Sequence, residues 1–223
     1  AALKETRDRT VSSQVRELLG SGKLTPLADL ESGVPPEAFQ PYGWRSFDRQ
    51  WIIADNRVLD YARPGFWKAL GPKQLFLTTL TTTQLGRGPV ASVIVAVPDM
   101  AFFRGSYGAQ DMMPLYRDAT GQEPNVTNGL LDTLSTRLGL EVDTELLISY
   151  VYGIAGTAAF SKCFSDELGE LAGPFRIPLT SESELFQAVA ELGSELLFWH
   201  TYGERFAPSD TATLPDGRTH QLS

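Results

Sequence analysis

Hydrophobic positions along the chain fall into two textures. From Tyr42 to about Val97 they come in short runs rich in β-branched residues; after Asn128 they recur at helical spacing. Trp51-Ile52-Ile53-Ala54, the turn residues Asp55-Asn56-Arg57 and Val58-Leu59-Asp60-Tyr61 predict a hairpin. Gln74 to Leu80 reads as a strand by β-propensity. Val90 to Val97 reads as another, ended by Pro98. Leu130, Leu131, Leu134 and Leu138 share one helix face, and Gly139 stops that helix. Asp143 is placed to cap a helix from Thr144 to about Ile154. Thr157 to Leu171 is helical again, and Pro174 to Pro178 is extended. Ser181, with Glu184 three residues on, predicts a capping box that opens a helix from Leu185 to Tyr202.

The first residues follow a third pattern. Val11, Val15, Leu18 and Leu19 line one face of a helix, which Gly20-Ser21-Gly22 ends. Glu31-Ser32-Gly33-Val34-Pro35-Pro36 has the composition of a linker. The expected architecture is therefore α+β. Residues 1–35 form a helix and linker, and 36–223 one domain: β-rich over 36–120, helical over 121–205, with a polar tail over 206–223.

Charge divides along the same line. Of 223 residues, 1–110 hold 13 of 19 Lys+Arg and 10 of 27 Asp+Glu, a net +3; 111–223 hold the other 6 and 17, a net −11. The overall −8 argues against a nucleic-acid binder, yet the first half by itself is basic. If the chain meets DNA, it does so with that half. No apolar run approaches the roughly 20 residues that span a bilayer. The single cysteine, Cys163, allows neither an internal disulfide nor a cysteine zinc cluster, so a reducing cytoplasm is the expected location.

Catalytic patterns are missing. No glycine loop with a following lysine is present, Gly86 and Gly88 lack the context of a dinucleotide site, and no glycine-flanked serine elbow occurs. No Asn-Pro-Pro or Asp-Pro-Pro step leads to an aromatic residue, so the catalytic loop of an amino-methyltransferase is absent too. Cys163 beside Phe160 and Phe164 reads as a buried, inert thiol. His200 ends a helix, where a cation is favourable, so a structural role is expected. Asp48 and Arg49 read most simply as an internal hydrogen-bonded pair.

Three stretches, in order, resemble one family: Arg45-Ser46-Phe47-Asp48-Arg49-Gln50-Trp51-Ile52-Ile53 with Arg57, Asp60 and Arg63-Pro64; Leu147 to Ile154 through Phe160 and Phe164 to Pro174-Phe175-Arg176-Ile177-Pro178; and Leu185-Phe186, then Glu191 to Leu197, ending in Trp199-His200. Together they resemble the C-terminal specificity domain of type ISP restriction-modification enzymes, over roughly residues 40–205. Met113-Pro114-Leu115-Tyr116 is also similar, with Met113 where the family favours Phe. Ser46 stands where it favours Pro.

The resemblance implies a domain that reads duplex DNA. It would act beside a nuclease, a helicase-like motor and an adenine methyltransferase of the same polypeptide, with residues 1–35 as the tail of that methyltransferase. S-adenosylmethionine would belong to the methyltransferase, and this chain, a monomer by itself, would bind no cofactor or metal. The acidic helical half would brace the sheet and dock to the methyltransferase. Thr81 to Pro89 and Met100 to Gln110 match nothing in the family, as loops that differ with the target would. Arginine can take guanine bidentately and glutamine adenine, so Gln84, Arg87, Arg104 and Gln110 are the expected base readers. Lys68, Lys73, Thr81, Thr82 and Tyr107 are the expected backbone contacts. Phe47, Trp51, Tyr150, Tyr152, Ile177 and Leu196 are expected in the core, with Asp48, Arg49, Arg176 and Pro178 as structural motif residues. Two further readings stay open: a protein-interaction or structural module that does not touch DNA, and an enzyme using Asp48 or His200.

Overall fold

The computed structural model describes residues 14–16, 24–26, 39–54, 63–80, 88–103, 111–170 and 174–207. The fold is α+β, as expected. Strands β3 (Phe39–Arg45), β4 (Asp48–Ile53) and β7 (Val97–Pro98) form one small sheet in the order β4-β3-β7. A second sheet has the order β6-β5-β8, from β5 (Phe76–Thr79), β6 (Ala91–Ile94) and β8 (Asp111–Pro114). The expected strand Val90 to Val97 is thus split between two sheets.

The central strand β5 is antiparallel to both neighbours and is buried along its whole length. Alternation along the pleat explains this. The register pair Phe76 and Ile94 enters a cluster with Ala96, Val97 and Phe102, covered by Tyr42, Phe66, Trp67 and Leu70. The next pair, Leu77 and Val93, enters a different cluster with Ile148, Tyr152, Phe160 and Leu197 on the helical side. Successive side chains point to opposite faces, so a strand packed on both faces needs an apolar residue at every position or a satisfied polar one. Thr78 and Thr79 are satisfied: their hydroxyls donate to Ser92 O at 3.1 Å and Val90 O at 2.7 Å.

The helices are α1 (Pro64–Ala69), α2 (Leu130–Leu138), α3 (Thr144–Ala155), α4 (Ala158–Cys163), α5 (Ser165–Glu170) and α6 (Ser183–His200). Gly139 ends α2 in the left-handed region at φ 66°, and the Asp143 carboxylate accepts from Leu146 N at 2.7 Å, both as the sequence indicates. Leu134, Leu138, Leu147, Tyr150 and Phe186 build a second helical core.

Several expectations need correction. Gln14–Arg16 (β1) and Leu24–Pro26 (β2) form an antiparallel ribbon where a helix was expected. The partner of β4 is β3, on its N-terminal side; Val58 to Tyr61 lie outside the described residues. The sequence hides β3 because Pro41 and Gly43 interrupt its β-pattern. The last helix starts at Ser183 with Glu182 at its cap position and no side-chain cap bond, so the Ser181–Glu184 capping box does not form. Cys163 is exposed, not buried.

Candidate nucleic-acid interface

Strand register decides where the expected reading segments start and finish. Thr79, the last residue of β5, pairs with Ala91 on one side and Asp111 on the other. Leu80 and Gly88, and then Asp111, are the nearest described neighbours of segments 81–87 and 104–110. Both ends of segment 81–87 and the downstream end of 104–110 therefore attach to one end of one sheet, while the upstream end of 104–110, at Phe103, follows β7 of the other sheet. Gln84, Arg87, Arg104 and Gln110, with Thr81, Thr82 and Tyr107, lie outside the described residues.

Lys68 and Lys73 are the two of these candidates that lie among the described residues. Both are exposed, Lys68 in the last turn of α1 and Lys73 three residues before β5. Helix α1 runs beside β5 in the opposite sense. Its start contacts β8 and β7, where Arg63 reaches Met112 and Pro98. At its other end the Ala69 carbonyl accepts from Gln74, just before β5. At about 3.3 Å per residue, the four residues of β5 separate the two ends by about 13 Å. The Lys73 side chain lies instead against Gly121. Both lysines thus lie near the Gln74 end of β5.

The β3–β4 hairpin also departs from expectation. Phe47 and Trp51 are not core residues: Phe47 is 58% and Trp51 73% exposed. Among the described residues β4 pairs with β3 alone, and Gln50 and Trp51 are its exposed positions. Asp48 and Arg49 do not pair with each other. The Asp48 carboxylate accepts from Gln50 Nε2 at 2.8 Å, while Arg49 pairs with Glu204 and stacks on Tyr202 with its guanidinium 4.2 Å from the ring centre. Tyr202 donates its hydroxyl proton to Phe47 O, and the Phe47 ring meets His200 edge-on at 5.0 Å. The hairpin tip is thus clamped onto the C-terminal end of α6 by residues 155 positions away. Trp51 borders an open cleft of about 640 Å³, with Arg49, Leu70, Pro72, Gln74 and Arg205 among its walls. Trp51→Ala should lower the melting temperature by no more than a degree or two, since exposed positions typically change stability by about 0.5 kcal/mol or less. Thermal denaturation of the two proteins checks it.

The other motif residues are structural, each in its own way. Tyr150 and Tyr152 are buried, as expected. Tyr150 stacks on Phe186 at 4.1 Å, donates to Pro178 O at 2.8 Å and accepts from Thr180 N at 3.2 Å. Pro178 thus contributes its carbonyl, not its ring. Arg176 is exposed; Ile177 and Leu196 are half-buried against the core.

Tyr152 and His200 Nδ1 are 2.6 Å apart. Burial pushes the tyrosine up and the histidine down from their usual values. The neutral imidazole is favoured in the fold, so its stabilisation is full above the ordinary histidine value of 6.5 and is lost as pH falls through the lowered folded value. The melting temperature should fall as pH drops below about 6.5, and His200→Gln should flatten that decline. His200 is thus held by Tyr152 and Asp48 by Gln50. Among the described residues no His, Cys, Asp or Glu cluster could hold a metal, and no helix is long and apolar enough to cross a membrane.

Sequence reasoning missed the network at the other root of the hairpin. Asp99 accepts from Tyr42 Oη at 2.9 Å, Arg45 Nη1 at 2.8 Å and Ala101 N at 2.9 Å. Burial, and then the Asp99 carboxylate, push the Tyr42 phenol up, so it stays a donor. Ser46 gives its amide and its hydroxyl to Phe102 O. Asp99, directly after the strand-stopping Pro98, was the available signal.

The model of the Type ISP C-terminal specificity domain matches residues 1–221. A DrdV–DNA complex solved by cryo-electron microscopy is similar in fold, with TM-score 0.60 and 18% identity over 80% of this chain and 18% of that one. The ATP-dependent Type ISP restriction-modification enzyme LlaBIII bound to DNA gives TM-score 0.57 and 18% identity over 78% of this chain and 11% of that one. The chain therefore spans less than a fifth of either solved chain. No curated protein matches it.

Proposed function

The chain belongs to the Type ISP C-terminal specificity domain family, and on that premise we propose that it reads a target sequence in duplex DNA for a larger restriction-modification enzyme. Recognition, not catalysis, is its work. It would position an adenine methyltransferase of the same polypeptide, which would use S-adenosylmethionine and turn an adenine out of the helix. The observation that carries the reading is the register of β5, which brings both attachment points of segment 81–87 and the downstream one of 104–110 to one sheet end. Such an end can present two loops to one groove, and those segments hold the arginines and glutamines suited to base edges. The two DNA-bound neighbours are similar in fold and support the reading.

The test is selection from a random duplex library by the full-length protein, with this domain deleted as control. Enrichment of one sequence that vanishes on deletion is the expected result; unchanged selection refutes it. Arg87, between Gly86 and Gly88, is the first residue to probe. Arg87→Ala should relax choice at one base pair, a bidentate guanine contact being worth ~1–3 kcal/mol of discrimination. Arg87→Lys should restore it only in part, because lysine lacks the planar fork. Methylation of duplexes that differ at single base pairs separates this from a phosphate contact, for which both variants would keep the same target.

Trp51 and its cleft favour a second role for the opposite end of the molecule, as a face for a protein neighbour. Under that reading Trp51→Ala weakens assembly of the larger enzyme without changing the sequence selected.

A further inference from the structure

We propose that the outward face of α6 is a docking strip for a basic amphipathic helix of the same polypeptide outside residues 1–223, and that Glu184, Glu191 and Glu195 select it by charge. This rests on the reading above, that the chain works as one domain of a larger enzyme.

Helix α6 carries two apolar faces. One is spent on the core, where Phe186, Ala190, Gly193 and Leu197 are buried. The other is open. Leu185 is 49%, Leu192 62% and Trp199 45% exposed, at seven-residue intervals. Seven residues are nearly two helical turns, so the three stand in one row, with Ala188 exposed between the first two. Surface leucines scattered singly mean nothing; three large apolar residues in register on one helix form the kind of seam that a second helix packs against. Glu184 and Glu191 follow the same seven-residue step in a parallel row. Glu195, three residues after Leu192 and four before Trp199, stands beside both. All three glutamates are exposed, and none pairs with a cation among the described residues. Between Arg176 and Arg205 the chain has five glutamates and no lysine or arginine.

Charge and size together name the occupant. Covering the row draws Glu195 and its two neighbours out of water, which is costly unless the covering surface supplies cations. A nucleic acid or an anionic membrane would meet them with more negative charge. A second copy pairing about a two-fold axis sets the helices antiparallel, and like edges then face each other, glutamate row against glutamate row. A helix with apolar residues at three- and four-residue steps and Lys or Arg along one edge fits instead. The row from Leu185 to Trp199 is roughly 21 Å long and a helix about 10 Å wide, so the strip offers on the order of 200 Å². Free partners that associate stably bury about 800 Å² each. A strip this small holds an element already tethered nearby, where the linker supplies the concentration.

The experiment places a benzophenone amino acid at position 192 of the full-length protein, with and without duplex DNA, and maps the photoproducts by mass spectrometry. The expected product joins 192 to one peptide of the same chain outside 1–223, with Lys or Arg beside apolar residues at helical spacing, in a yield independent of protein concentration. Glu191→Lys with Glu195→Lys should cut that yield about ten-fold, the scale of turning two exposed attractive pairs repulsive. Glu191→Gln with Glu195→Gln should cut it less. Exchanging the captured peptide's cations for glutamate should restore the yield in the lysine variant. That rescue separates pairing from loss of fold, and amide exchange in α3 and α6 should stay as in wild type, since 191, 192 and 195 are exposed. Capture of a second copy, with a yield that falls on dilution, overturns the proposal. So does capture of DNA, of a peptide without cations, or of nothing outside 1–223, and so does a yield that the charge variants leave unchanged. Each of these leaves the DNA reading standing where target selection still vanishes on deletion of the domain; unchanged selection refutes that reading whatever 192 captures.

Discussion

Gly193→Ala should be the most damaging small substitution in the chain. Helices α3 and α6 cross with Gly153 and Gly193 at the contact. A Cβ at 193 would fall well inside the van der Waals limit of Ser149 O and 2.7 Å from Gly153 N. Both neighbours are backbone, so no side chain can swing away and the helices must separate. That separation would loosen the stack of Tyr150 on Phe186. Against it stands the gain in helix propensity, ~1 kcal/mol for Ala over Gly. Overpacking typically costs ~1–3 kcal/mol, and a backbone clash between two long helices belongs at or above the upper end. A net loss of roughly 3 kcal/mol should lower the melting temperature by about 6–12 °C in a domain of this size. Gly65→Ala is the matched control. It lies inside α1 with nothing within 4 Å of a new Cβ, and should be neutral or slightly stabilising.

Gln74→Leu should come close behind. Gln74 is 2% exposed, and its amide group makes four hydrogen bonds. Oε1 accepts from Leu75 N and Tyr116 N at 3.1 Å each; Nε2 donates to Ala69 O at 2.7 Å and Tyr116 O at 2.8 Å. The side chain replaces a backbone pairing between the start of β5 and the segment after β8. Leucine keeps the volume but strands the Leu75 amide, the Tyr116 amide and carbonyl and the Ala69 carbonyl. At ~1–3 kcal/mol for each buried group left unpaired, the loss should be roughly 3–5 kcal/mol, allowing for partial relaxation. Chemical denaturation at pH 7 measures it. Gln74→Glu should be worse there, since a carboxylate would face two carbonyl acceptors, and should recover partly at acid pH, where a protonated glutamate can donate. A Gln74→Leu protein of wild-type stability would mean that the four bonds add nothing beyond packing.

Local rules were legible where local physics decides. The leucine spacing before Gly139 and the Asp143 cap need only their own neighbourhood, and β5 announces itself by composition. The hairpin was not legible. Trp51-Ile52-Ile53-Ala54 looks like core by composition, yet Trp51 is exposed in the fold. Asp48 and Arg49 look like a pair until a glutamate at 204 comes within reach of the arginine. Helix α1, six residues opening with Pro64-Gly65, carries too little periodicity to see. Arg63 was visible only as a member of a motif; its reach to Pro98 and Met112 depends on two sheets meeting. For Gln84, Arg87, Arg104, Gln110, Thr81, Thr82 and Tyr107 the sequence remains the source, because these positions lie outside the described residues.

The clamp on the hairpin tip also dictates an order of events during synthesis. Phe47, Arg49 and Pro72 are translated early, while Tyr202, Glu204 and Arg205, which hold them, come more than 130 residues later. At ~5–20 residues per second, ribosomes take on the order of ten seconds to cover that gap. Through that interval the hairpin tip lacks the Tyr202 hydrogen bond to Phe47 O and the Arg49 charge lacks its Glu204 partner. Closure waits for the last turn of α6 to clear the exit tunnel. A ribosome stalled just before Tyr202 should hold a chain that proteases cut at the hairpin, and the released chain should resist them.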